Sequence, residues 1–155
     1  MNTIVKTYDQ LTTRELYEIL KSRFWVFVME QQCFYLDMDN TDYKAVHIML
    51  WDENNVEQTE QGPNTMPVVG YARIYPDAQE DEWRIGRVLT LKRKCGLGAE
   101  IMQAAIEAIK LHKGKEINID AQCQAIPFYE KIGFQVVSEP FDEAGIEHVK
   151  MKLDI

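Results

Sequence analysis

Apolar residues along the chain change period several times, and each change marks a predicted element. Thr3-Ile4-Val5-Lys6-Thr7-Tyr8 reads as a short strand. Leu16, Ile19, Leu20 and Phe24 then recur at helical spacing on one face. Thr12-Thr13-Arg14-Glu15 before them has the form of a capping box, with Thr12 as the cap. Phe24 to Gln31 is densely aromatic, Asp37 to Asp42 reads as an acidic loop, and Lys44 to Trp51 as a strand. The polar residues 52–65, with Asn, Gly and Pro, read as an exposed hairpin loop. Val68–Tyr75 and Glu82–Leu91 are two further strands about the turn Pro76-Asp77-Ala78. A segment of helical period, Leu97 to Leu111, would bury Ile101, Ala104, Ala105, Ala108 and Ile109. It should stop near Lys113-Gly114, with Gly as the expected C-terminal cap. Glu116–Ala121 reads as a strand and Ala125–Lys131 as a short helix stopped by Gly133. Phe134–Val137 and Ile146–Leu153 close the chain as strands.

There is no repeat, low-complexity tract or linker, and 155 residues suit one domain, 1–155, with a single core. The helix between strands 84–91 and 116–121 implies a right-handed crossover joining parallel neighbours. Short loops elsewhere make the other neighbours antiparallel. The expected fold class is mixed α/β: a central, mostly antiparallel sheet of about six or seven strands with helices on both faces.

Composition narrows the function classes. A hydrophobic content of 46% and a charged content of 27% are those of an ordinary globular protein. No apolar run approaches the roughly 20 residues of a membrane span. Met1-Asn2-Thr3-Ile4-Val5-Lys6 lacks the layout of a secretory signal, so a cytoplasmic location is expected. Cys33, Cys95 and Cys123 are an odd number without metal-type spacing, so neither a disulfide nor zinc is expected. A net charge of −8 argues against general nucleic-acid binding. Yet Arg84 to Lys115 holds eight basic and two acidic residues, a net of +6 against −14 for the remainder. A basic island in an acidic protein suits a polyphosphate ligand; a solvated helix face with ordinary lysines is the alternative.

Arg93-Lys94-Cys95-Gly96-Leu97-Gly98 lies inside that island, at a strand-to-helix junction. Two glycines there let backbone approach a ligand, and a helix start leaves N–H groups that favour phosphate. No Lys-Ser/Thr follows the second glycine, so the P-loop pattern fails. Ile101 occupies the position where the dinucleotide fingerprint needs a small residue, so that pattern fails too.

With these residues in place the chain resembles the GNAT superfamily of N-acetyltransferases. That family's phosphate motif, Arg/Gln-x-x-Gly-x-Gly/Ala, matches Arg93-Lys94-Cys95-Gly96-Leu97-Gly98. Ala125-Ile126-Pro127-Phe128-Tyr129-Glu130-Lys131-Ile132-Gly133-Phe134 looks like its "FYxKxGF" segment. Within the superfamily the chain is similar to the ElaA-like group. The marks are Val26 to Gln31, Asp39, His47, Ile85-Gly86-Arg87-Val88, Ala121-Gln122, Gly145-Ile146-Glu147-His148 and Met151. One departure is a connection from Val88 to Arg93 about two residues shorter than the usual pattern.

The resemblance implies a GNAT-like sheet and direct transfer of acetyl from acetyl-CoA, the cosubstrate, to a primary amine, with no metal. It implies a strand that splays from its neighbour, with the backbone of Val88, Leu89 and Thr90 on the pantetheine arm. Main-chain N–H groups of Arg93, Lys94, Cys95, Gly96, Leu97, Gly98 and Ala99 would hold the pyrophosphate, with charge from Arg93 and Lys94. Gln122 and Phe128 would complete the cofactor site, and Tyr129 would be the general acid for the departing thiolate. A phenol of pKa about 10 giving its proton to a thiolate near 8.5 is uphill by about 2 kcal/mol, small beside an acyl-transfer barrier. Tyr129 as a core aromatic beside Phe128 is the plain alternative.

An alkylamine of pKa about 10.4 is neutral about once in 2,500 molecules at pH 7, so a base is useful. Glu30, Asp39, His47 and His148 are the candidates, the histidines having a suited intrinsic pKa. Glu30, Asp37, Asp39 and Asp42 form an acidic run with no basic residue before Lys44. Either it is a solvated loop or Glu30 and Asp39 help bind a cationic acceptor, such as a polyamine, an aminoglycoside-like amine or a basic peptide end. Arg73 and Arg87, mid-strand, could pair with these carboxylates and also belong to the substrate set. Phe24, Trp25, Phe27, Phe34 and Tyr35 read as core and cleft lining. The expected partners are a small-molecule or peptide amine and at most a second copy in a homodimer, with neither nucleic acid nor membrane. The alternative function is a non-catalytic acyl-CoA-binding or regulatory module.

Overall fold

A computed structural model describes residues 1–91 and 95–155. Its strands are β1 (Asn2–Thr7), β2 (Val46–Trp51), β3 (Val56–Thr59), β4 (Gly62–Thr65), β5 (Val68–Pro76), β6 (Glu82–Thr90), β7 (Glu116–Gln122), β8 (Gln135–Val136), β9 (Phe141–Glu143) and β10 (Ile146–Asp154). The helices are α1 (Thr13–Arg23), continued by a π-helical segment Phe24–Glu30, then α2 (Leu97–Leu111) and α3 (Ile126–Ile132). Eight strands form one sheet in the order β1-β2-β5-β6-β7-β10-β8, with β9 pairing β10 beside that path. All pairings are antiparallel except β6 with β7, the pair that α2 bridges. The residues 52–65, expected as an exposed hairpin loop, hold the separate β3–β4 hairpin.

Both faces of the sheet are covered, and the alternation along β2 shows it. Val46, Ile48 and Leu50 join the cluster under α2, while Met49 and Trp51 join the cluster under α1. Ile101, Met102, Ala105, Ile106 and Ile109 give α2 its buried stripe. Each large side chain among them contributes about 1.5–3 kcal/mol by leaving water. The far cluster takes Ile19, Val26 and Phe27 from α1 and its π-helical continuation.

Two local expectations need correction. Of the expected inward face of α1, Leu16, Ile19, Leu20 and Phe24, only Ile19 is fully buried; Leu16 and Leu20 are half-buried, Phe24 is exposed, and Glu15, Glu18, Ser22 and Arg23 are buried with Ile19. Polar groups can face inward here because partners meet them. Lys6 and the Thr12 backbone bond Glu15, and Ser22 Oγ donates to the Val68 carbonyl at 2.9 Å. The capping box itself is present, Thr12 Oγ1 accepting from Glu15 N. At the other end of α2, Gly114 is not the left-handed cap; Lys113 takes φ 63° instead. A Cβ on Gly114 would stand 2.4 Å from Ile109 Cγ2 and 2.7 Å from Trp83 Cδ1. The glycine is there because nothing larger fits.

Candidate active site

The parallel ladder between β6 and β7 is short. It pairs Glu82, Trp83 and Arg84 with Glu116, Ile117 and Asn118, and no pairing follows. From Ile85 onward β6 keeps its bonds to β5 alone, so its other edge faces an opening between the strands. A bulge sharpens this. Tyr71 pairs with Leu89 and Arg73 with Gly86, so β6 takes three steps where β5 takes two. Arg87 supplies the extra residue at φ 54°, a strained backbone for a non-glycine residue. Arg87 Nε donates to Asp37 Oδ1 at 2.7 Å, and Nη2 to the Asp37 carbonyl at 3.1 Å. Those bonds hold the bulge in shape.

At the end of β6 the chain turns into α2. Gly96 caps that helix at φ 77° with no side-chain cap, and the first helical bond runs from Glu100 N to Gly96 O. The N–H groups of Leu97, Gly98 and Ala99 come ahead of that bond, at the positive end of the helix dipole. Gly98 has a separate reason: a Cβ there would lie 3.2–3.3 Å from the Phe128 ring, so the small residue lets α3 close against α2. The Leu97 and Leu89 side chains point into the two cores, leaving only their backbones for a ligand. Cys95 and Ala99 are exposed, whereas Arg93 and Lys94 lie outside the described residues.

A cleft of about 900 Å³ opens from the splayed edge, and Val88, Gln122, Tyr129 and His148 all line it. Gln122 Nε2 donates to Gln31 Oε1 at 2.9 Å, tying β7 to the end of the π-helical segment. Tyr129 packs edge-on against Phe128 and Phe134, with centroids 5.0 and 5.8 Å away. Burial pushes its pKa up to about 12. Its proton therefore stays in place across the physiological range. Giving it to a thiolate near 8.5 is uphill by about 5 kcal/mol, steeper than an unperturbed phenol implies.

The base candidates separate cleanly. His47 is fully buried and outside the cleft lining. Its Nε2 donates to the Asp42 carbonyl at 2.9 Å and its Nδ1 accepts from the Tyr71 hydroxyl at 2.7 Å. Burial also lowers its pKa, so it is a neutral structural residue and not the expected base. Glu30 is exposed at the end of the π-helical segment and does not line the cleft. His148 does. Its Nδ1 lies 2.7 Å from the Ile146 carbonyl, which can only accept, so the proton sits on Nδ1. Nε2 is then the basic nitrogen of the neutral ring, 3.6 Å from Glu143 Oε2.

The acidic run is neither a solvated loop nor an open cation site. Arg23, fully buried, bonds Asp37 and Asp42; Arg73 bonds Asp39 and Asp42; Arg87 bonds Asp37 and Asp39. Three guanidinium groups match three carboxylates. Burial alone would raise the carboxyl pKa values, but Arg73 bonds hold Asp39, and Arg23 bonds hold Asp42, below the usual range. Arg73 and Arg87, expected as substrate residues, are therefore committed to this network, though both line the cleft. Pairing of Arg73 and Arg87 was readable from their mid-strand positions, whereas Arg23 and Glu143 went unnoticed. Among the described residues no group of three or more His, Cys, Asp or Glu could hold a metal ion, and none of the three cysteines forms a disulfide. No helix there is long and apolar enough to cross a membrane.

A splayed parallel pair, a bulge at the opening and a glycine-capped helix start beyond it lie in sequence along one edge, a geometry with the length and the main-chain donors that an extended, phosphate-bearing ligand requires. A family model described as an acetyltransferase (GNAT) domain matches residues 7–155. The chain belongs to the GNAT acetyltransferase family. GNAT relatives include a UPF0039 protein of Schizosaccharomyces pombe, 35% identical over 98% of this chain and 96% of that protein. Escherichia coli ElaA is 30% identical over 96% of this chain and 93% of its own. The ElaA crystal structure superposes with TM-score 0.81 at 29% identity, covering 97% of each chain. An acyl-CoA N-acyltransferase from Pseudomonas aeruginosa reaches TM-score 0.83 at 29% identity, covering 98% of this chain and 99% of that one. GNAT membership brings acyl-CoA-dependent acyl transfer with it, on a fold of the expected class: a large, mostly antiparallel sheet with helices.

Proposed function

We propose that the chain transfers the acetyl group of acetyl-CoA directly to a primary amine, with His148 as general base and Tyr129 as general acid. The observation that carries this reading is that both side chains line one cleft, beside the edge β6 turns away from β7. Bound acetyl-CoA supplies the acyl group as an activated thioester. The α2 N-terminus, with the main-chain N–H groups of Leu97, Gly98 and Ala99, suits its pyrophosphate. The backbone of Val88 to Thr90 borders the pantetheine path, and Gln122 and Phe128 wall it. Among the described residues the donors are backbone N–H groups and the helix dipole; Arg93 and Lys94, expected to add charge, lie outside them.

The proton balance follows from the cleft. The amine arrives as ammonium, and His148 Nε2 takes one proton, leaving the nitrogen lone pair free to attack the thioester carbonyl. Backbone N–H groups at the β6 bulge face the oxygen on which negative charge develops. As the carbon–sulfur bond breaks, its electron pair goes to sulfur and Tyr129 protonates it. The remaining surplus proton of the new amide nitrogen restores Tyr129. One proton leaves through His148 per turnover.

The test is thiol release from acetyl-CoA with an amine panel, alongside calorimetric titration of CoA. Tyr129→Phe is expected to slow release by about 10²- to 10⁴-fold with CoA affinity unchanged. His148→Ala is expected to lose kcat/KM near neutrality and to recover it towards pH 10, where amines deprotonate unaided. Wild-type rates for either variant would remove that residue from the mechanism. CoA binding without release for any amine would leave a non-catalytic binding module.

A further inference from the structure

We infer that the acceptor is a monocationic primary amine on an apolar body, its ammonium received by Glu143 and its body by the wall Phe34-Tyr35-Leu36. The inference rests on the acetyl-transfer reading and specifies which amine the cleft selects. Four carboxylates line the cleft, and three are neutralised. Asp39 is held by Arg73, Asp77 by Arg84 at 3.5 Å, and Asp120 by Arg84 at 3.0 Å and Lys150 at 3.4 Å. Glu143 alone has no Lys or Arg partner among the described residues. Its side chain is 54% exposed and stands 3.6 Å from His148 Nε2.

One open carboxylate accommodates one positive charge. A polyamine or aminoglycoside would leave its further charges against a wall that is already neutral, at a desolvation cost with no return. The rest of the mouth is apolar. Phe34, Tyr35 and Leu36 are 80%, 40% and 75% exposed while lining the cleft, so consecutive apolar side chains stand open to a ligand. Tyr35 is braced by the Arg87 guanidinium, 5.1 Å from its ring centroid. Apolar surface of this kind is stabilised when a ligand body covers it.

Position makes Glu143 more than an anchor. It sits on β9, opposite Ile146 of β10, and the register puts Phe141 opposite His148 with the two rings stacked at 6.0 Å. An ammonium at Glu143 therefore has its protons beside the free nitrogen of His148. After transfer the imidazolium and Glu143 form an ion pair that steadies the charged base. Other charged groups near this ring are engaged elsewhere: Lys150 with Asp120, and Glu147 with Cys123. The Cys33 thiol, which also lines the cleft, is kept protonated by burial and by the charge of Glu143.

The experiment compares phenethylamine and tryptamine with spermidine and kanamycin as acceptors for the full chain, with acetyl-CoA saturating. The expected kcat/KM is at least about tenfold higher for the two monocations. Glu143→Gln, a change at an exposed side chain, is expected to raise the phenethylamine KM about tenfold, the loss of one charge-assisted contact. A merely structural role would not move that KM. Preference for spermidine or kanamycin, or an unchanged KM in Glu143→Gln, would overturn the inference while leaving acetyl transfer standing. Absence of release with every amine would overturn both.

Discussion

Gly114 shows how one absent methyl group sets the packing where α2 returns to the sheet. Its amide donates to the Ile109 carbonyl at 3.0 Å, which brings the backbone against the Trp83 indole. Its φ is not in the left-handed region, so conformational freedom is not the reason for glycine here. Space is. Gly114→Ala would drive a Cβ into Ile109 and Trp83, and both are buried. Overpacking of this kind costs about 1–3 kcal/mol. Gly96→Ala meets nothing within 4 Å but must hold φ 77°, a cost of about 1–2 kcal/mol carried by the backbone alone. Urea denaturation of the two variants checks this. A Gly114→Ala protein within 0.5 kcal/mol of the parent would show that Trp83 moves freely, contrary to close packing.

Between α1 and β5 the chain from Gln31 to Tyr43 is held chiefly by ions. Asp42 stands between the buried Arg23 and Arg73, at 2.7 and 3.0 Å. Asp42→Asn leaves two guanidinium groups short of charge, and breaking a buried pair costs about 3–5 kcal/mol. The expected result is a lower denaturation midpoint and faster amide exchange at 34–40, with CoA affinity retained because α2 is seated in the other cluster. Adding Arg23→Met should recover part of the loss; no recovery would mean the ions are not coupled. This element also marks where sequence reading stopped. Helices and long strands were legible because their apolar periods are local. Arg23 was not, because Leu16, Ile19 and Leu20 suggested an inward face that left it to solvent. Only the carboxylates 14 and 19 residues on explain its burial. Glu143 was equally silent: β9 is three residues long and exists through β10. His148 stood among four base candidates, and its tautomer is set by the Ile146 carbonyl, which only the fold brings to it.

Over the whole molecule the buried titratable groups define a pH window. His47 keeps its neutral form when folded, its pKa lowered by burial, with Arg23 and Arg73 adding to that push. Its stabilisation is complete above the unfolded value of about 6.5 and falls as pH drops below it, because only the unfolded chain then takes up the proton. Asp39, Asp42 and Glu15 are also lowered. Burial opposes this in each case, but bonds from Arg73, Arg23 and the Thr12 backbone with Lys6 prevail. Their contribution is present above the ordinary carboxyl range and is lost as pH falls through about 4.5 and below. At the alkaline side Tyr71 and Tyr129 are raised by burial, so ionisation of the unfolded chain above about pH 10 favours unfolding. Stability should therefore form a plateau from about pH 7 to 10, a first decline below 6.5 and a steeper one below 4.5. Denaturation midpoints across pH 3–11 test the shape, and His47→Gln tests the assignment. The variant should be less stable at pH 8, since Tyr71 loses its acceptor, yet show no decline between 6.5 and 5. A first decline that survives in His47→Gln would place the titrating group elsewhere.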